Sequence, residues 1–572
     1  MCGIIAAISQ NPVVKQALNQ LQRLEYRGYD SAGLATIHQR KIHVEKATGD
    51  TSSLVIPEAW STATIAIAHT RWATHGVPSE CNAHPHLYND QYAIVHNGII
   101  ENHETIKSTY GFTCKSETDS EVIVQLYNYF IQEGDEPLEA WQKSINRLEG
   151  SWATVLLDCN LPNQLFIACH KSPMVLGKND EGVFISSDLY GLEKKVDEIL
   201  YLNNHSVGAI DVHSNLVNIE PKWEKKPASL IQETSIQTST VMMHEIMEQP
   251  DVLEACHALT LPNIPKPDQL VITACGSSYH VGLIAAQWFE AHAGIPCRVF
   301  LASELRYQRI AWGKNTGFLM ISQSGETADT LECVRHWKDE ASLTIALCNV
   351  AQSALMRCCD YKIHIPAGIE TAVAATKSVT ASLMVLSKLA DQWKAHPQPL
   401  INIEQLAHQN QIVLAMDSVS SFVANRLANQ RHIYLLGRGI HHCVMLEAAL
   451  KVKEISYIHT EAFASGEMKH GPLALIDDNA LVVIVAGKNY HLQKSIANAE
   501  EVLARGAHVI IITDAPITQK PNMTVVNLPF EFSDASCISL SIFFQIISLK
   551  LSLQLKLNPD RPRNLAKCVT VE

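Results

Sequence analysis

Two sets of short apolar runs follow one another in the second half of this chain, and they constrain its fold more than any other feature. The first set lies at 270–274, 317–321, 342–347 and 361–365, and the second at 432–436, 480–485, 508–513 and 523–528. Such runs, separated by helical stretches, are typical of strands buried on both faces of a parallel sheet by crossover helices. The repeated pattern therefore predicts two similar α/β domains, as a duplication would produce.

The first 220 residues have a different pattern. Short alternating runs at 64–68 and 92–95, together with a helical stretch at 120–133, predict an α+β domain. Residues 221–240 are polar and have no apolar period, which marks a boundary. A chain of 572 residues is too long for one core. We therefore predict a domain at 1–222, a linker at 223–245, α/β domains at 246–400 and 401–555, and a C-terminal segment at 556–572.

Composition argues against several kinds of partner and cofactor. The net charge is −13 and no block is rich in Lys or Arg, so we expect neither a nucleic-acid nor a membrane partner. Polar residues interrupt the apolar stretch 537–555, which predicts a buried helix. No charged region precedes the short N-terminal apolar run, which predicts a cytoplasmic protein with reduced thiols. The 15 cysteines and 26 histidines lack metal-ligand spacing, so we expect no metal and no cofactor.

Cys2 is a candidate nucleophile at the start of the chain. Removal of Met1, which a small second residue permits, would leave Cys2 with a free α-amine. An α-amine with an ordinary pKa of about 8 can act as the base that converts the thiol to a thiolate. The alternative is a small buried residue at the start of a strand.

Hydroxyl-rich turns follow two predicted strands of the first α/β domain. Residues 322–327 read Ser-Gln-Ser-Gly-Glu-Thr, and Ser277 and Ser278 follow the neighbouring strand. Hydroxyls and free N–H groups at a helix N-terminus suit a phosphate, and ligands of open parallel sheets bind at strand ends. Ordinary helix capping by Ser and Thr is the alternative. Because no Gly-rich nucleotide motif is present, a sugar phosphate fits better than a nucleotide.

One predicted helix of the second α/β domain carries three charged residues on one face. Glu447, Lys451 and Glu454 are spaced i, i+4 and i+7. A solvated salt-bridge ladder is one interpretation, and partly buried groups suited to proton transfer are the other, since the flanking residues are apolar. Lys567, in the C-terminal segment, is either a solvated lysine or an amine able to form a Schiff base with a sugar carbonyl.

Taken together, these residues resemble the family of isomerising glutamine:fructose-6-phosphate aminotransferases over nearly the whole chain. The N-terminal part is similar to class II amidotransferase glutaminases, and the rest is similar to paired sugar-isomerase (SIS) domains. The resemblance implies an N-terminal nucleophile domain with four α+β layers, followed by two α/β SIS domains with parallel sheets. The motifs that carry it are residues 1–4, 23–33, 69–76 and 96–102 in the first part, and 322–327, 461–463, 467–472 and 562–572 in the second.

At the glutamine site, the resemblance implies a role for each candidate residue. Cys2 would attack the amide, its own α-amine would be the base, and Asn97 and Gly98 would be the oxyanion donors. Arg71 and Asp119 would hold the α-carboxylate and α-amino group of glutamine, which suits their charges. Further candidates at this site are Thr74, His75 and Trp72, the last as a gate on an apolar ammonia route between the two sites.

At the sugar site, the resemblance implies that Lys567 forms an imine with the ketose carbonyl and that Glu454 moves a proton between C1 and C2. Lys451 would support the open-chain sugar, and His470, from a neighbouring subunit, would open the ring, which implies a homodimer. The candidates for binding the sugar phosphate are Ser277, Ser278, Ser322, Gln323, Ser324, Thr327 and Val373.

The chain departs from the family pattern at several points. Ser277 replaces the usual Thr, Ala375 replaces the usual Ser, and residues around 223–262 are fewer than in typical members. Ala375 removes a hydroxyl, so a sugar contact worth about 1 kcal/mol is expected to be missing.

The resemblance implies that the chain converts L-glutamine and D-fructose 6-phosphate to L-glutamate and D-glucosamine 6-phosphate. Two alternatives remain at this stage. One is a related SIS amidotransferase or deglycase that acts on another phosphosugar. The other is a regulatory protein that binds a sugar phosphate, for which the full set of glutaminase residues would have no purpose.

Overall fold

A computed structural model describes residues 2–192, 196–226, 238–394, 398–489 and 491–569. The chain divides into two compact units. Unit 1 comprises Met1–Glu233 and Ala566–Glu572, and unit 2 comprises Thr234–Leu565. The C-terminal segment is therefore divided between the two units. Residues up to Leu565 belong to unit 2, and those from Ala566 onward are grouped with unit 1.

Unit 1 is built mainly from antiparallel strands. The strands are β1 (Gly3–Ser9), β2 (Ser31–His38), β3 (Lys41–Thr48), β4 (Ile65–Arg71), β5 (His86–Tyr88), β6 (Tyr92–Ile100), β7 (Gly150–Asp158), β8 (Gln164–His170), β9 (Val175–Lys178), β10 (Gly182–Ser186), β11 (Glu198–Tyr201), β12 (Ser206–Asp211), β13 (Leu216–Val217) and β14 (Glu224–Lys225). The helices are α1 (Val14–Arg23), α2 (His103–Tyr110), α3 (Glu121–Gln132) and α4 (Pro137–Ile145).

The strands of unit 1 form two sheets that face each other. An eight-stranded sheet has the order β14-β11-β9-β10-β1-β4-β2-β3, and a six-stranded sheet has the order β13-β12-β8-β7-β6-β5. Alternation along β1 sends Ile4 into the core between the sheets and Ile5 into a separate core with α1. The opposite face of β6 packs on α3 and α4 through Ile94. Unit 1 therefore has the predicted four layers, α/β/β/α.

Unit 2 alternates strands and helices. The strands are β15 (Gln269–Ala274), β16 (Cys297–Leu301), β17 (Thr316–Ser322), β18 (Leu343–Cys348), β19 (Tyr361–His364), β20 (His432–Gly437), β21 (His459–Ala464), β22 (Leu481–Ala486), β23 (His508–Thr513) and β24 (Met523–Asn527). The helices are α5 (Val241–Met247), α6 (Gln249–Ala258), α7 (Gly276–Trp288), α8 (Ala302–Leu305), α9 (Ala328–Trp337), α10 (Ala354–Cys358), α11 (Lys377–Trp393), α12 (Ile403–Ala415), α13 (Asp417–Ala428), α14 (Ile440–Ser456), α15 (Leu492–Leu503) and α16 (Ser536–Gln554).

Both sheets of unit 2 are parallel and share one topology. Their orders are β16-β15-β17-β18-β19 and β21-β20-β22-β23-β24. In each sheet the second strand pairs with one side of the first strand, and the third strand pairs with its other side. The strand order therefore reverses at the first strand. The duplication predicted from the apolar runs is confirmed, and each sheet places a crevice at the carboxyl ends of its first and third strands.

The sequence pattern did not reveal two of these strands, β16 and β21. Both are edge strands, and most of their side chains are only partly buried or are exposed. An edge strand needs no continuous apolar run, because one side of it is not covered by a neighbouring strand. The two omissions therefore occupy equivalent places in the two halves.

A single apolar core joins the two halves of unit 2, and α16 lies within it. By length and composition α16 could cross a membrane, but 89% of its most apolar window is buried inside the protein. The prediction of a buried helix for 537–555 is confirmed.

Two elements fall inside the predicted linker 223–245. β14 pairs with β11 of unit 1, and α5 belongs to the core of unit 2. Residues 227–237 lie outside the described part of the chain. Asp560, after the last helix, accepts hydrogen bonds from the backbone N–H groups of Val241 and Met242 at 2.9 and 2.8 Å and so caps α5.

Candidate functional site

Cys2 lies directly before β1, which is hydrogen-bonded between β4 and β10 in the large sheet. The backbone N–H of Trp72 lies 3.4 Å from Cys2 Sγ, and the Trp72 carbonyl oxygen lies 3.6 Å from it. Sγ is therefore held beside the loop that leaves β4. The side chain is only partly buried, so a substrate can reach it.

The backbone carbonyl of Cys2 is fixed by two side chains. It accepts a hydrogen bond from Asn97 Nδ2 at 2.9 Å and one from Arg27 Nε at 3.2 Å. Arg27 is fully buried and also pairs with Asp188 at 2.8 Å. Arg27 was not among the predicted site residues, although it lies in the motif 23–33. Its burial and its contact with Cys2 only become visible in the fold.

The amide orientation of Asn97 is set by a histidine. His69 Nε2 lies 3.1 Å from Asn97 Oδ1 and 3.0 Å from the carbonyl oxygen of His96. Both partners are acceptors, so His69 carries its proton on Nε2. Asn97 therefore turns its Nδ2 toward Cys2, where it donates to the backbone carbonyl oxygen.

Four buried histidines surround this point and have lowered pKa values. Burial lowers the pKa of His69 to about 3, and it lowers those of His84, His86 and His96 as well. The rings of His69 and His84 stack with centroids 4.2 Å apart. The imidazoles are thus neutral near pH 7 and act as hydrogen-bonding groups rather than as charges.

Gly98 follows Asn97 in β6 with φ of +135°. A Cβ at this position would lie 2.0 Å from the carbonyl oxygen of Ser151. The backbone beside Asn97 therefore requires glycine on both conformational and steric grounds.

Arg71 and Asp119 are both buried and carry the charges expected for binding an amino acid. The Nη2 of Arg71 donates to the carbonyl oxygens of His75 and Gly76, while its buried Nη1 has no hydrogen-bond partner among the described residues. Asp119 accepts the backbone N–H of Ile100 at 2.6 Å. Arg71 thus shapes the loop after β4 and keeps one donor for a ligand.

The loop after β4 also contains Thr74 and His75. Thr74 is exposed and His75 half-buried, with 3.4 Å between Thr74 Oγ1 and His75 Nδ1. The loop is anchored at its start by Asp30, whose carboxylate accepts the backbone N–H of Ala73 at 2.8 Å.

In unit 2, the hydroxyl-rich turns follow adjacent strands. Thr273 of β15 is paired with Met320 of β17, so the carboxyl ends of these strands are neighbours at the reversal of strand order. Ser277 and Ser278 lie in the first turn of α7, and residues 322–327 join β17 to α9. The structure thus brings together the two turns that the sequence proposed for phosphate.

The turn after β17 is held in shape by its own side chains. Ser322 Oγ accepts the backbone N–H of Gly325 at 2.9 Å and lies 3.4 Å from Thr327 Oγ1. Gly325 has φ of +68°, and a Cβ there would lie 2.1 Å from Ser353 Oγ. Gln323 and Ser324 are partly buried in the same turn. Part of the hydroxyl content therefore serves capping, and the turn remains a cradle of N–H and O–H groups.

The charged face of α14 is buried. Lys451 is 1% exposed, its Nζ lies 2.6 Å from Glu454 Oε2, and it lies 3.5 Å from Glu447 Oε1. The interpretation as a solvated ladder is therefore wrong. Burial acts to lower the pKa of Lys451, but the carboxylates of Glu454 and Glu447 outweigh it and raise that pKa. Lys451 is a cation in direct contact with Glu454.

Val373 and Ala375 lie in a loop that precedes α11. The carboxylate of Glu370 accepts the backbone N–H groups of Thr376 and Ser378 at 2.9 and 3.0 Å. The backbone N–H of Val373 donates to the carbonyl of Asp560 at 3.3 Å. Glu370 is buried and was not predicted as a site residue.

Two further sugar-site candidates, His470 and Lys567, belong to different units. His470 is exposed in a short 3-10 helix, Glu467–His470. Lys567 belongs to unit 1, where its backbone N–H lies 3.4 Å from the carbonyl oxygen of Tyr26. The remaining sugar-site candidates all lie in unit 2.

Metal ligation finds no support in the part of the chain that the structure describes. No group of three or more His, Cys, Asp or Glu side chains has an arrangement that could hold a metal ion there.

Comparisons with known proteins match both units. A glutamine amidotransferase domain family matches residues 69–194, and the SIS domain family matches residues 263–391 and 426–536. The two SIS matches correspond to the two parallel sheets of unit 2. The predicted order of one glutaminase domain and two SIS domains is therefore confirmed.

Curated relatives match from end to end. A protein from Pseudomonas putida is 36% identical and one from Escherichia coli K12 is 37% identical, each over an alignment of 613 positions that covers 100% of both chains. Both carry the name glutamine–fructose-6-phosphate aminotransferase (isomerizing). The solved C-terminal domain of glucosamine-fructose-6-phosphate aminotransferase from Francisella tularensis is also similar, with a TM-score of 0.54 and 31% identity over 57% of this chain and 99% of that one.

Proposed function

This chain belongs to the family of isomerising glutamine–fructose-6-phosphate aminotransferases, and from that premise we propose how its residues share the reaction. The overall activity converts L-glutamine and D-fructose 6-phosphate to L-glutamate and D-glucosamine 6-phosphate, a reaction of class EC 2.6.1.16. The reaction needs a site that releases ammonia from an amide and a site that opens, aminates and isomerises a ketose phosphate. Unit 1 supplies the first and unit 2 most of the second.

In unit 1, Cys2 Sγ attacks the amide carbon of glutamine, ammonia leaves as the C–N bond breaks, and water hydrolyses the resulting thioester to glutamate. The α-amine exposed by removal of Met1 takes the thiol proton. Asn97 Nδ2 and the backbone N–H of Gly98 stabilise the oxyanion. The orientation of Asn97, fixed by His69, supports this role.

Recognition of glutamine is assigned to the residues around the loop after β4. The unpartnered Nη1 of Arg71 binds the α-carboxylate, and Asp119 binds the α-ammonium group. Thr74 and His75 lie on the same loop and contact the bound amino acid. Trp72, whose backbone already touches Cys2, gates the passage of ammonia toward the sugar.

In unit 2, the turns at Ser277–Ser278 and 322–327 bind the phosphate, and Val373 lines the sugar site. His470 opens the ring and Lys567 forms an imine at C2 of the open-chain ketose. Ammonia then replaces the lysine amine at C2, and Glu454 carries a proton from C1 to C2 to give the aldose. Lys451, in contact with Glu454, supports the open-chain sugar.

The observation that carries this assignment is the pairing of two preformed devices in one chain. Cys2 is held against Trp72 beside Asn97, whose Nδ2 faces it, and the buried Lys451, paired with Glu454, shares unit 2 with two adjacent hydroxyl-rich turns. A glutaminase alone would not need the second device, and a sugar-phosphate sensor would not need the first.

We further propose a cytoplasmic homodimer in which ammonia passes between the sites without entering bulk water. The exposed position of His470, together with the exposed Leu475 a few residues on, suits a surface that another subunit covers. Sedimentation of the purified protein tests this, because a monomer that is fully active at high dilution would exclude a contribution of His470 from a partner.

The decisive experiment measures glutamate and glucosamine 6-phosphate released from L-glutamine with and without fructose 6-phosphate. Equal yields that depend on the sugar are expected. Glutamate release without any amino sugar would refute fructose 6-phosphate as acceptor, and other ketose phosphates would then be compared. Intact-mass measurement on the same sample shows whether Met1 has been removed, which the proposed role of the α-amine requires.

A further inference from the structure

Glu447 is a buried carboxylate to which the proposed reaction assigns no role. Its side chain is 4% exposed, and it lies on α14 one turn before Lys451. His280 Nδ1 lies 2.8 Å from Glu447 Oε2. This donor lies on α7, three residues after Ser277.

The carboxylate of Glu447 thus connects two functional segments of unit 2. On one side it accepts a hydrogen bond from His280 of α7, the helix whose first turn carries Ser277 and Ser278. On the other side it faces Lys451, whose Nζ is 3.5 Å away. Because α7 belongs to the first α/β half and α14 to the second, Glu447 bridges the two halves at the site.

Electrostatics explain why the donor on α7 matters. A buried carboxylate is stable only when other groups compensate its charge. Burial acts to raise the pKa of Glu447, but Lys451 and the hydrogen bond from His280 lower it further than burial raises it. Glu447 is therefore an ionised acceptor, and His280 carries a proton on Nδ1.

Lys451 lies between two carboxylates and is closer to one of them. Its Nζ is 2.6 Å from Glu454 and 3.5 Å from Glu447. Without the hydrogen bond from His280, Glu447 would depend on Lys451 alone and would draw the ammonium away from Glu454. A shift of about 1 Å at a catalytic group can cost about a hundredfold in rate.

We propose that Glu447 is a positioning residue of the sugar reaction, and that His280 is the donor that keeps Glu447 from withdrawing Lys451 from Glu454. The inference rests on the proposed function and deepens it. It connects α7, whose first turn carries the proposed phosphate hydroxyls, to the pair that handles the proton. The link runs through the hydrogen bond from His280 to Glu447 and the ion pair between Glu447 and Lys451.

Several titratable groups face this chain. On α7 there is His280, and on α14 there are Lys451, Glu454 and His442, whose pKa burial and the proximity of His280 lower. From the loop before α11, the charge of Glu370 acts on Lys451 in the same sense as the two glutamates of α14. Removing the charge of Glu447 therefore lowers the pKa of Lys451 while Glu454 and Glu370 still support its cationic form.

The test compares kcat, the KM for fructose 6-phosphate and the pH profile of glucosamine 6-phosphate formation in the full-length enzyme. For Glu447→Gln we expect kcat to fall about tenfold to a hundredfold with a smaller change in KM. The alkaline limb of the kcat profile should also move to lower pH, because Lys451 loses a neighbouring negative charge. A residue that only maintains the fold would lower activity without moving this limb.

Substitutions of His280 give an independent reading if Glu447→Gln folds poorly. His280→Leu removes the donor and should lower kcat about tenfold. His280→Asn should restore most of the rate, since its Nδ2 is separated from Cα by the same number of bonds as His Nδ1. The matched control is His292→Leu, which breaks an exposed pair with Asp534 at 3.0 Å and should leave kcat unchanged.

Each outcome is decisive. The inference is overturned if Glu447→Gln keeps the wild-type kcat and pH profile, or if His280→Leu, His280→Asn and His292→Leu behave alike. A wild-type enzyme that makes no glucosamine 6-phosphate refutes the proposed function, and this inference falls with it. An active wild type with insensitive variants refutes the inference alone.

Discussion

The glutamine site of unit 1 and the sugar site of unit 2 hold their reactive groups by opposite electrostatic means. Around Cys2 the buried histidines have lowered pKa values, and Asn97 is oriented by a hydrogen bond from neutral His69. Around Glu454 the structure instead concentrates charge, with the buried Lys451 in contact with carboxylates. The group that orients Asn97 is a neutral imidazole, whereas the group in contact with Glu454 is a buried cation.

The difference follows from the chemistry each site performs. An oxyanion that develops during attack on an amide is stabilised by fixed N–H dipoles, which neutral imidazoles can orient without competing for it. Moving a proton between two carbons needs a carboxylate whose ionisation is controlled by a nearby cation. A buried polar cluster thus serves different ends in the two units. In unit 1 it orients the side chain of Asn97, and in unit 2 it controls the proton affinity of a carboxylate.

Removing the nucleophile should impair the glutamine site and leave the sugar site intact. For Cys2→Ala we expect glutamate release to fall by at least about 10³-fold, because no other group described near the amide can form the thioester. Calorimetry should find unchanged binding of fructose 6-phosphate. Cys81→Ala, at an exposed cysteine of the same unit, is the control and should retain full glutaminase activity.

Removing the proton carrier should impair the sugar site and leave the glutamine site intact. Glu454→Gln keeps the shape of the side chain but cannot accept the proton, so amino-sugar formation should fall by about 10² to 10⁴-fold. Glutamine hydrolysis in the absence of sugar is the parallel measurement and should persist. An equal loss in Glu404→Gln, an exposed residue of α12, would contradict a specific role for Glu454.

Mild acid should separate the two units by their stability. An unfolded histidine binds a proton below pH about 6.5, whereas His69 remains neutral in the folded protein down to about pH 3. Stability is therefore lost as pH falls from about 6.5 toward 3, at about 1.4 kcal/mol per pH unit for such a group. His84, His86 and His96 act in the same direction.

In unit 2, His441, with its pKa lowered to about 4, contributes the same kind of loss. We therefore expect thermal inactivation of glutamine hydrolysis to move to lower temperature between pH 7.5 and 5.5 by more than loss of fructose 6-phosphate binding does. Parallel shifts of the two midpoints would show that the neutral histidine cluster does not distinguish the units.

The smallest effect is expected at Ala375. Ala375→Ser restores a hydroxyl to the loop beside Val373, and one neutral hydrogen bond is worth about 1 kcal/mol. We expect the KM for fructose 6-phosphate to fall about fivefold with kcat unchanged. If the KM fell for a different ketose phosphate and did not change for fructose 6-phosphate, the result would show that Ala375 sets the sugar preference.

Much of the fold was readable from the sequence because it rests on local periodicity. Eight strands of the two parallel sheets were predicted from continuous apolar runs, and the edge strands β16 and β21 were not, because their side chains are only partly covered. The linker prediction extended into α5, whose first two backbone N–H groups donate to Asp560. Contacts between residues so far apart in the sequence cannot be read from a local sequence pattern.

The candidate site shows the same division. Motifs identified Cys2, Asn97 and the hydroxyl-rich turns, because a nucleophile or a phosphate cradle requires particular residue types at particular spacings. The supporting residues Arg27 and His69 lie inside the motifs 23–33 and 69–76 but were not singled out, and neither was Glu370. Their burial and their hydrogen-bond partners are set by the tertiary structure.

By itself, the sequence determined the class of each domain, the duplication of the α/β half and the residue types that carry the chemistry. Only the tertiary structure decided that the charged face of α14 is buried, that His280 reaches Glu447, and which nitrogen of His69 carries the proton. The physical reason is that burial and hydrogen-bond partners depend on which elements pack together. Periodicity indicates the face of a helix or strand on which a residue lies. The ionisation and orientation of its side chain depend on the elements that pack against that face.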